Sequence, residues 1–154
     1  MTTLRPADGL DPLDAVAVQA DGDLVYSAED RLFVATSRWG TTIDATGLRS
    51  EGDVTTQLHS FDTSVDGVRY LGTGDVPGYV LGRWALSWHE GALRVATTEG
   101  EPWAAAPSSS STLTVLRETA GRLVPAGSVT GLGKGERIQA VRYLGDIATV
   151  VTFR

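Results

Sequence analysis

The segment RLFVAT at positions 31–36 recurs as ALRVAT at 92–97 and again as IATVVT at 147–152. Successive copies begin 61 and then 55 residues apart (31 to 92, and 92 to 147). A turn of two or three residues precedes each copy, and another β-type segment precedes that turn. The copies are rich in β-branched residues. A β-hairpin that recurs at a period of this length indicates a repeat architecture.

Two further β-type segments follow each of the first two copies, so that a complete repeat holds four antiparallel strands, a to d. No stretch keeps apolar residues at helical spacing for long enough to favour a helix. The predicted strands are 24–28, 31–37, 55–62 and 67–72 in the first repeat, 83–88, 92–98, 111–118 and 122–129 in the second, and 137–144 and 147–153 in the third.

Four-stranded units at a regular period predict an all-β fold of the propeller type. We expect a β-propeller fragment of about two and a half four-stranded antiparallel blades. In this interpretation residues 1–154 form a partial propeller domain with one blade at 24–72, a second at 83–129 and half a blade at 137–153. The alternative is a single β-sandwich of about ten strands, which the four-strand period disfavours. Because an incomplete ring leaves blade edges open, we expect this piece to self-associate through them.

The composition argues against several classes of partner and site. The net charge is −6 at pH 7 and the 13 Lys and Arg residues are scattered, which disfavours nucleic acid as a partner. No apolar run approaches the roughly 18 residues of a membrane-spanning helix, so no membrane insertion is expected. The N-terminal segment shows no apolar core of a signal peptide. The absence of cysteine excludes disulfides and thiolate sites.

Three segments carry a resemblance to a known family. They are LVYSAEDRLFVATSRWG at 24–40, the stretch at 67–103 that contains VPGY and RVATTEG, and GERI at 135–138 followed by VVTFR at 150–154. The chain resembles a bacterial family of secreted proteins that carry a β-propeller domain distantly related to WD-40 repeats. The resemblance implies a longer parent protein with further blades and a signal peptide, located outside the cytoplasm or in the cell envelope. It implies no catalytic or ligand-binding residues.

The residues that most often carry catalysis form no recognisable constellation here. The two histidines, His59 and His89, fall at different positions of their repeats, so we expect no metal ion shared between them. The serines lack a GxSxG motif, and the glycine-rich segment 131–135 lacks the spacing of a phosphate-binding loop. We therefore predict no catalytic, cofactor-binding or metal-binding residues and no cofactor.

The tryptophans are more informative. Trp39 and Trp103 each follow strand b of a repeat, in segments predicted as long loops, and are the candidate ligand-binding residues. Trp84 and Trp88 are four residues apart in a predicted strand, which would place both on one face and predicts packing between blades.

The loops are distributed unevenly between the two ends of the predicted blades. Tight turns fall at one end, and the long connections fall at the other. The long connections are 38–54, 73–82, 99–110 and 130–136. Because recognition usually occurs on elaborated loops of a rigid scaffold, we favour a non-catalytic binding module that recognises a protein, peptide or glycan through this loop-rich face.

Two alternatives belong to other functional classes. The first is a hydrolase- or oxidoreductase-type propeller enzyme with its site at the central channel, where Arg83 and Arg137 begin equivalent inner strands and could face the channel mouth. The second is a purely structural module within a larger envelope protein.

Overall fold

The computed structural model describes residues 22–43, 49–64, 67–101 and 108–154, together with two short strands, β1 (Thr2–Thr3) and β2 (Asp14–Ala15), that pair with each other. Side chains are described in 22–40, 53–64, 67–101 and 108–154. Trp103, one of the two candidate ligand-binding residues, lies outside the described residues.

The first blade is an antiparallel meander of four strands. These are β3 (Leu24–Ala28), β4 (Arg31–Ile43), β5 (Arg49–Asp62) and β6 (Arg69–Pro77). Neighbouring strands pair throughout, as at Val25↔Val34 and Leu58↔Gly74.

The second blade repeats this arrangement, and half a blade follows it. The second blade consists of β7 (Leu86–His89), β8 (Ala92–Glu99), β9 (Ser110–Thr119) and β10 (Arg122–Leu132). The half blade is the antiparallel pair of β11 (Arg137–Leu144) and β12 (Ile147–Phe153). The prediction of an all-β propeller fragment with about two and a half four-stranded blades is confirmed.

Several strand boundaries differ from the prediction, since β5 begins at Arg49, β6 ends at Pro77 and β10 ends at Leu132, and two further differences move a tryptophan. β4 continues to Ile43 and pairs with β5 beyond a register shift after Trp39, so Trp39 lies inside a strand and not in a loop. The predicted strand at 83–88 begins instead with a single 3₁₀ turn, Arg83–Ala85, closed by the Ala85 N–H, which donates to the Gly82 carbonyl at 2.9 Å. Because this turn breaks the alternation of a strand, Trp84 and Trp88 do not share a face.

The tight turns share a positive φ at their first residue. Glu29, Glu90 and Ala120 each open a two-residue turn with positive φ, at 52°, 48° and 48°. Gly91 and Gly121 follow with positive φ as well, the geometry that suits the twist of hairpin strands. The second blade therefore has a tight turn both between its first two strands and between its last two.

An apolar layer packs the first blade face to face on the second. Its buried members include Phe33 and Leu58 on the first blade and Leu93 and Leu116 on the second. A smaller layer joins the second blade to the half blade through Ala85, Ala96, Ile138 and Val141. The core therefore lies between blades, as the propeller architecture requires.

The outer strands of the two complete blades also touch. β6 and β10 form a parallel bridge at Thr73↔Arg122, which links the eight strands in the order β3-β4-β5-β6-β10-β9-β8-β7. A Cβ atom at Gly74 would lie well inside van der Waals contact of the backbone oxygen of Leu123. Glycine at position 74 therefore permits a close approach of the two blades.

Charged side chains close the same interface at the end with the tight turns. The Arg31 guanidinium contacts Glu118 of the second blade at 3.2 Å and lies 3.7 Å from Asp62. Asp62 is buried, accepts hydrogen bonds from Ser64 and pairs with Arg69 at 2.7 Å. The hydrogen bonds from Ser64 and Arg69 hold the pKa of Asp62 well below its usual range.

The half blade leaves apolar surface open. Leu144, Ile147, Val151 and Phe153 are exposed, and β12 pairs with β11 alone among the described strands. Open edges and apolar surface favour association, and the expected self-association of this piece stays a prediction. Among the described residues, no helix has the length and apolar character needed to cross a membrane.

Replacing Gly74 by alanine is expected to lower the free energy of unfolding by roughly 1–3 kcal/mol, the usual cost of forcing a methyl group into a packed interface. Gly127→Ala is the matched control, because it also lies on an outer strand and a Cβ there meets no atom within 4 Å. Urea denaturation of both variants measures the difference. Equal midpoints for the two variants would show that the blades do not depend on close contact at Gly74.

Asp62 makes stability depend on pH. Its pKa is lower in the folded chain than in the unfolded chain, so its stabilising contribution is present at neutral pH and declines as the pH falls below about 5. Asp62→Asn should cost roughly 1.5–3 kcal/mol at pH 7, as for hydrogen bonds to a charged group, and less at pH 3. Asp75→Asn, which makes the same change at an exposed position, is the control, and urea titrations at both pH values measure the two variants. A cost for Asp62→Asn that does not shrink in acid would contradict this assignment.

Candidate functional site

The inner strands of the two blades and the half blade converge on a cleft. Its volume is about 350 Å³. It is lined by Tyr26, Trp84, Leu86, Ser87, Val141, Arg142 and Tyr143. These residues come from β3, the 3₁₀ turn, β7 and β11, which places the cleft on the side of the blades that faces the axis of a propeller.

A second hollow of about 230 Å³ lies against the first. It shares Trp84, Val141 and Arg142 with the first cleft and adds Leu81, Gly82, Ala85, Gln139 and Ala140. The two hollows, with Arg83 beside them, are called the inner groove below. Trp84 belongs to both hollows and therefore forms a ridge within the groove.

Trp84 is the most exposed tryptophan described, with 64% of its surface accessible. Two guanidinium groups lie over its ring, that of Arg83 at 4.7 Å and that of Arg142 at 5.9 Å from the centroid. Arg142 also donates to the Val141 carbonyl at 2.8 Å. A guanidinium that lies on an indole keeps N–H donors at its edge, where a carboxylate can accept them.

The expected packing role of Trp84 is therefore wrong, whereas Trp88 does lie between blades. The Trp88 ring lies 5.4 Å from the Phe33 ring, and its backbone N–H donates to the Tyr26 hydroxyl at 3.0 Å. The 3₁₀ turn explains the difference, because it takes residue 84 out of the alternating series of strand positions that pack against the neighbouring blade. The sequence signal for this turn was weak, since only Gly82 precedes it as a residue that commonly interrupts strands.

The inner groove is positively charged although the chain as a whole is acidic. Neither hollow is lined by Asp, Glu or His among the described residues, and Arg83 and Arg142 stand at Trp84. Tyr143 is fixed by two contacts, since its hydroxyl donates to the Ala85 carbonyl at 2.9 Å and the Arg94 guanidinium lies over its ring. Burial raises the pKa of Tyr143 well above its usual range, so this hydroxyl stays protonated and acts as a donor.

The candidate ligand residue Trp39 lies elsewhere, at the end of the blades with the long connections. It is 55% exposed and its ring stacks on that of Tyr79 at 6.0 Å between centroids. Near this end a cleft of about 480 Å³ opens between the blades. It is lined by Pro77, Glu99, Ser110, Thr112, Thr114, Pro125, Ser128, Thr130 and Gly131, most of which carry hydroxyl groups.

The structure separates the two histidines, as the sequence indicated. His59 is buried on the first blade, where its Nδ1 lies 3.1 Å from the Tyr70 hydroxyl, and burial together with the nearby Arg38 lowers its pKa. His89 is the last residue of β7, and its Nε2 is 2.9 Å from a carboxylate oxygen of Asp146 on the half blade. Sequence reasoning missed this pairing because it joins residues of different blades.

The sequence predicted that two arginines, Arg83 and Arg137, begin equivalent inner strands. Arg83 lies over the Trp84 ring, and Arg137 is an exposed residue that begins β11.

The sequence profile described as "Beta propeller domain" matches residues 1–154, the whole chain. The chain belongs to this β-propeller domain family. Its curated relatives include "Uncharacterized protein MJ1554" of Methanocaldococcus jannaschii, 40% identical over 82 residues, and an "Uncharacterized protein" of Archaeoglobus fulgidus, 42% identical over 83 residues. No solved structure matches the chain.

The matched segments cover 53% and 54% of this propeller chain but 12% of each relative's own length. Both relatives are archaeal, whereas the resemblance pointed to bacterial secreted proteins. The comparisons thus establish the propeller family and leave the bacterial, secreted and WD-40 parts of that expectation as predictions.

Trp84, which precedes β7, and Trp88, which lies within it, should respond differently to truncation. Trp84→Ala is expected to change the free energy of unfolding by about 0.5 kcal/mol or less, because its side chain is largely exposed. Trp88→Ala should cost roughly 3 kcal/mol, near the low end for large-to-small core changes, because its ring packs against Phe33 but is only half-buried. Chemical denaturation measures both. A larger loss for Trp84→Ala than for Trp88→Ala would reverse this assignment.

Proposed function

We propose that this propeller domain is a non-catalytic binding module and that the inner groove is its recognition surface. The observation that carries the proposal is the exposure of Trp84, with two arginines over its ring, in a groove whose described lining contains no carboxylate. An exposed aromatic side chain with arginine beside it is the composition typical of binding hot spots. A tryptophan that is 64% exposed makes little packing contact, and an exposed indole offers apolar area to a partner, so a role in binding accounts for Trp84 better than a role in packing.

The partner that fits this groove best is an acidic peptide segment of another protein. The guanidinium groups of Arg83 and Arg142 can pair with carboxylates, and such charge-assisted hydrogen bonds are stronger than neutral ones. The rest of the lining is mainly apolar, with the exposed Leu81 and the buried Leu86 and Val141, and suits aliphatic side chains. A peptide that alternates acidic and aliphatic residues would satisfy both features.

The lining of the groove favours binding over catalysis. Ser87 is the lining residue that most resembles a catalytic nucleophile. Its Oγ accepts a hydrogen bond from Arg94 at 2.8 Å. No His, Asp or Glu among the described lining residues stands by to remove its proton. The groove therefore offers donors and an aromatic surface, which are the elements of recognition.

A second candidate function is the recognition of a glycan at the loop-rich end, as the distribution of loops suggested. The observation in its favour is the hydroxyl-lined cleft between the blades together with the exposed Trp39. Hydroxyl groups and a tryptophan ring are suited to sugar hydroxyls and to the apolar face of a sugar ring.

The setting of the parent protein belongs to the same proposal. We place the full-length parent outside the cytoplasm or in the cell envelope, on the strength of the family resemblance. We also propose that its repeating units are the blades 24–72 and 83–129 and the half blade 137–153, since each range overlaps an observed meander, although β6 continues to Pro77 and β10 to Leu132.

The proposal is tested with a fluorescein-labelled peptide of alternating Glu and Leu and its Gln–Leu counterpart. The acidic peptide is expected to bind and the neutral one to bind at least tenfold more weakly, because hydrogen bonds to charged groups contribute roughly 1.5–3 kcal/mol each. Trp84→Ala and Arg142→Gln should each weaken binding of the acidic peptide by about tenfold or more, and added salt should weaken it further. Fluorescence anisotropy measures all of these.

Trp39→Ala is the matched control, because it removes an exposed tryptophan that lines neither hollow of the inner groove. It should leave binding of the acidic peptide unchanged. If the two peptides bind equally, or if Trp84→Ala binds like the parent, the inner groove is not the recognition surface. Glycan binding that is lost in Trp39→Ala and kept in Trp84→Ala would establish the second candidate instead.

A further inference from the structure

The first turns of the second blade and of the half blade lie side by side. β7 ends at His89 and Glu90 opens the turn that follows, whereas the other turn carries Asp146 between β11 and β12. The Nε2 atom of His89 lies 2.9 Å from Oδ1 of Asp146. One ligand atom from each of the three side chains lies within 4.8 Å of the other two. An imidazole and two carboxylates therefore converge at one point between the blades.

The two turns are held in a defined relative position. The Arg94 guanidinium of β8 donates to the Gly145 carbonyl at 2.7 Å and to the Ser87 hydroxyl at 2.8 Å. It thus ties the turn that carries Asp146 to the blade that carries His89. Ile138 and Val141 pack the half blade onto the same neighbour in the buried layer. The convergence of the three side chains therefore follows from packing between blades.

We propose that His89, Glu90 and Asp146 form a binding site for a divalent transition-metal ion that bridges the second blade and the half blade. One histidine nitrogen with two carboxylate oxygens is a ligand set that suits Zn²⁺ and similar ions. The two carboxylates neutralise the double charge of the ion. Three protein ligands leave a coordination position open to water or to a ligand.

The geometry requires only small side-chain movements. Ligand atoms around a tetrahedral Zn²⁺ with bonds of about 2.0–2.2 Å stand roughly 3.3–3.6 Å apart. His89 and Asp146 are already closer than that, and an ion entering between them would separate them slightly. Glu90 is exposed and can close the remaining distance by rotation of its side chain.

The corresponding turn of the first blade provides an internal comparison. It carries Glu29 and Asp30, with Glu29 at a φ of 52° close to the 48° of Glu90, but no histidine. Acidic turn residues alone are therefore a general feature of this chain. The imidazole of His89 and its contact with the next turn distinguish the proposed site.

Isothermal titration of the full chain, stripped of metal with chelator, tests the proposal directly. One Zn²⁺ per chain is expected to bind, and an excess of Mg²⁺ should not displace it, because Mg²⁺ prefers an all-oxygen shell that retains several waters. His89→Gln and Asp146→Asn should each weaken Zn²⁺ affinity by at least about tenfold. Removing a residue that only hydrogen-bonds to a metal ligand already costs about that much, and removing the ligand itself should cost no less. Glu29→Gln, at the equivalent turn, should bind Zn²⁺ like the parent.

A second measurement separates binding at this site from binding elsewhere. A metal ion between the blades should raise the melting temperature of the parent chain and of Glu29→Gln, and should leave that of His89→Gln unchanged, since only the folded interface brings the ligands together. The absence of Zn²⁺ binding would overturn the proposal. Equal binding by the parent, His89→Gln and Asp146→Asn would also overturn it, because the ion would then bind elsewhere.

Discussion

The backbones of β6 and β10 meet at Gly74, and this contact sets how the first two blades stand against each other. With no side chain at that point the outer strands touch, and the apolar layer that includes Phe33 and Leu116 closes between the blades. The inner strands then come within hydrogen-bonding distance, where Tyr26 accepts the Trp88 N–H. One wall of the inner groove thus depends on a glycine on the opposite, outer side of the blade.

The half blade docks on the second blade by a different set of contacts. Ile138 and Val141 supply the apolar area, and the Ile138 N–H donates to the buried Thr98 hydroxyl at 3.1 Å. This docking brings Arg142 to Trp84 on one side of β7 and Asp146 to His89 on the other. The inner groove and the proposed metal site are therefore separate consequences of the same interface between blades.

Charge is arranged on a smaller scale than the net charge suggests. The chain carries a net charge of −6. Of its 19 Asp and Glu residues, four in the described part of the chain lie at tight turns (Glu29, Asp30, Glu90 and Asp146), and Asp62 and Glu118 pair with arginine. The inner groove, in contrast, has arginine at an exposed indole and no carboxylate in the described lining. A local field of opposite sign to that of the whole molecule is a feature that favours the capture of an acidic partner.

The sequence by itself determined the fold class, the strand order within each blade and the positions of the tight turns. It could do so because alternating β-type segments and turn residues are local signals, and because the repeat RLFVAT, ALRVAT, IATVVT displays the period directly. Only the tertiary structure decided which tryptophan is exposed, since one hydrogen bond from Ala85 to Gly82 forms a 3₁₀ turn and rotates Trp84 out of the strand pattern. It likewise decided that His89 meets Asp146, 57 residues later in the chain. Such contacts arise from how blades stack, and stacking depends on side-chain packing between distant segments that no local pattern records.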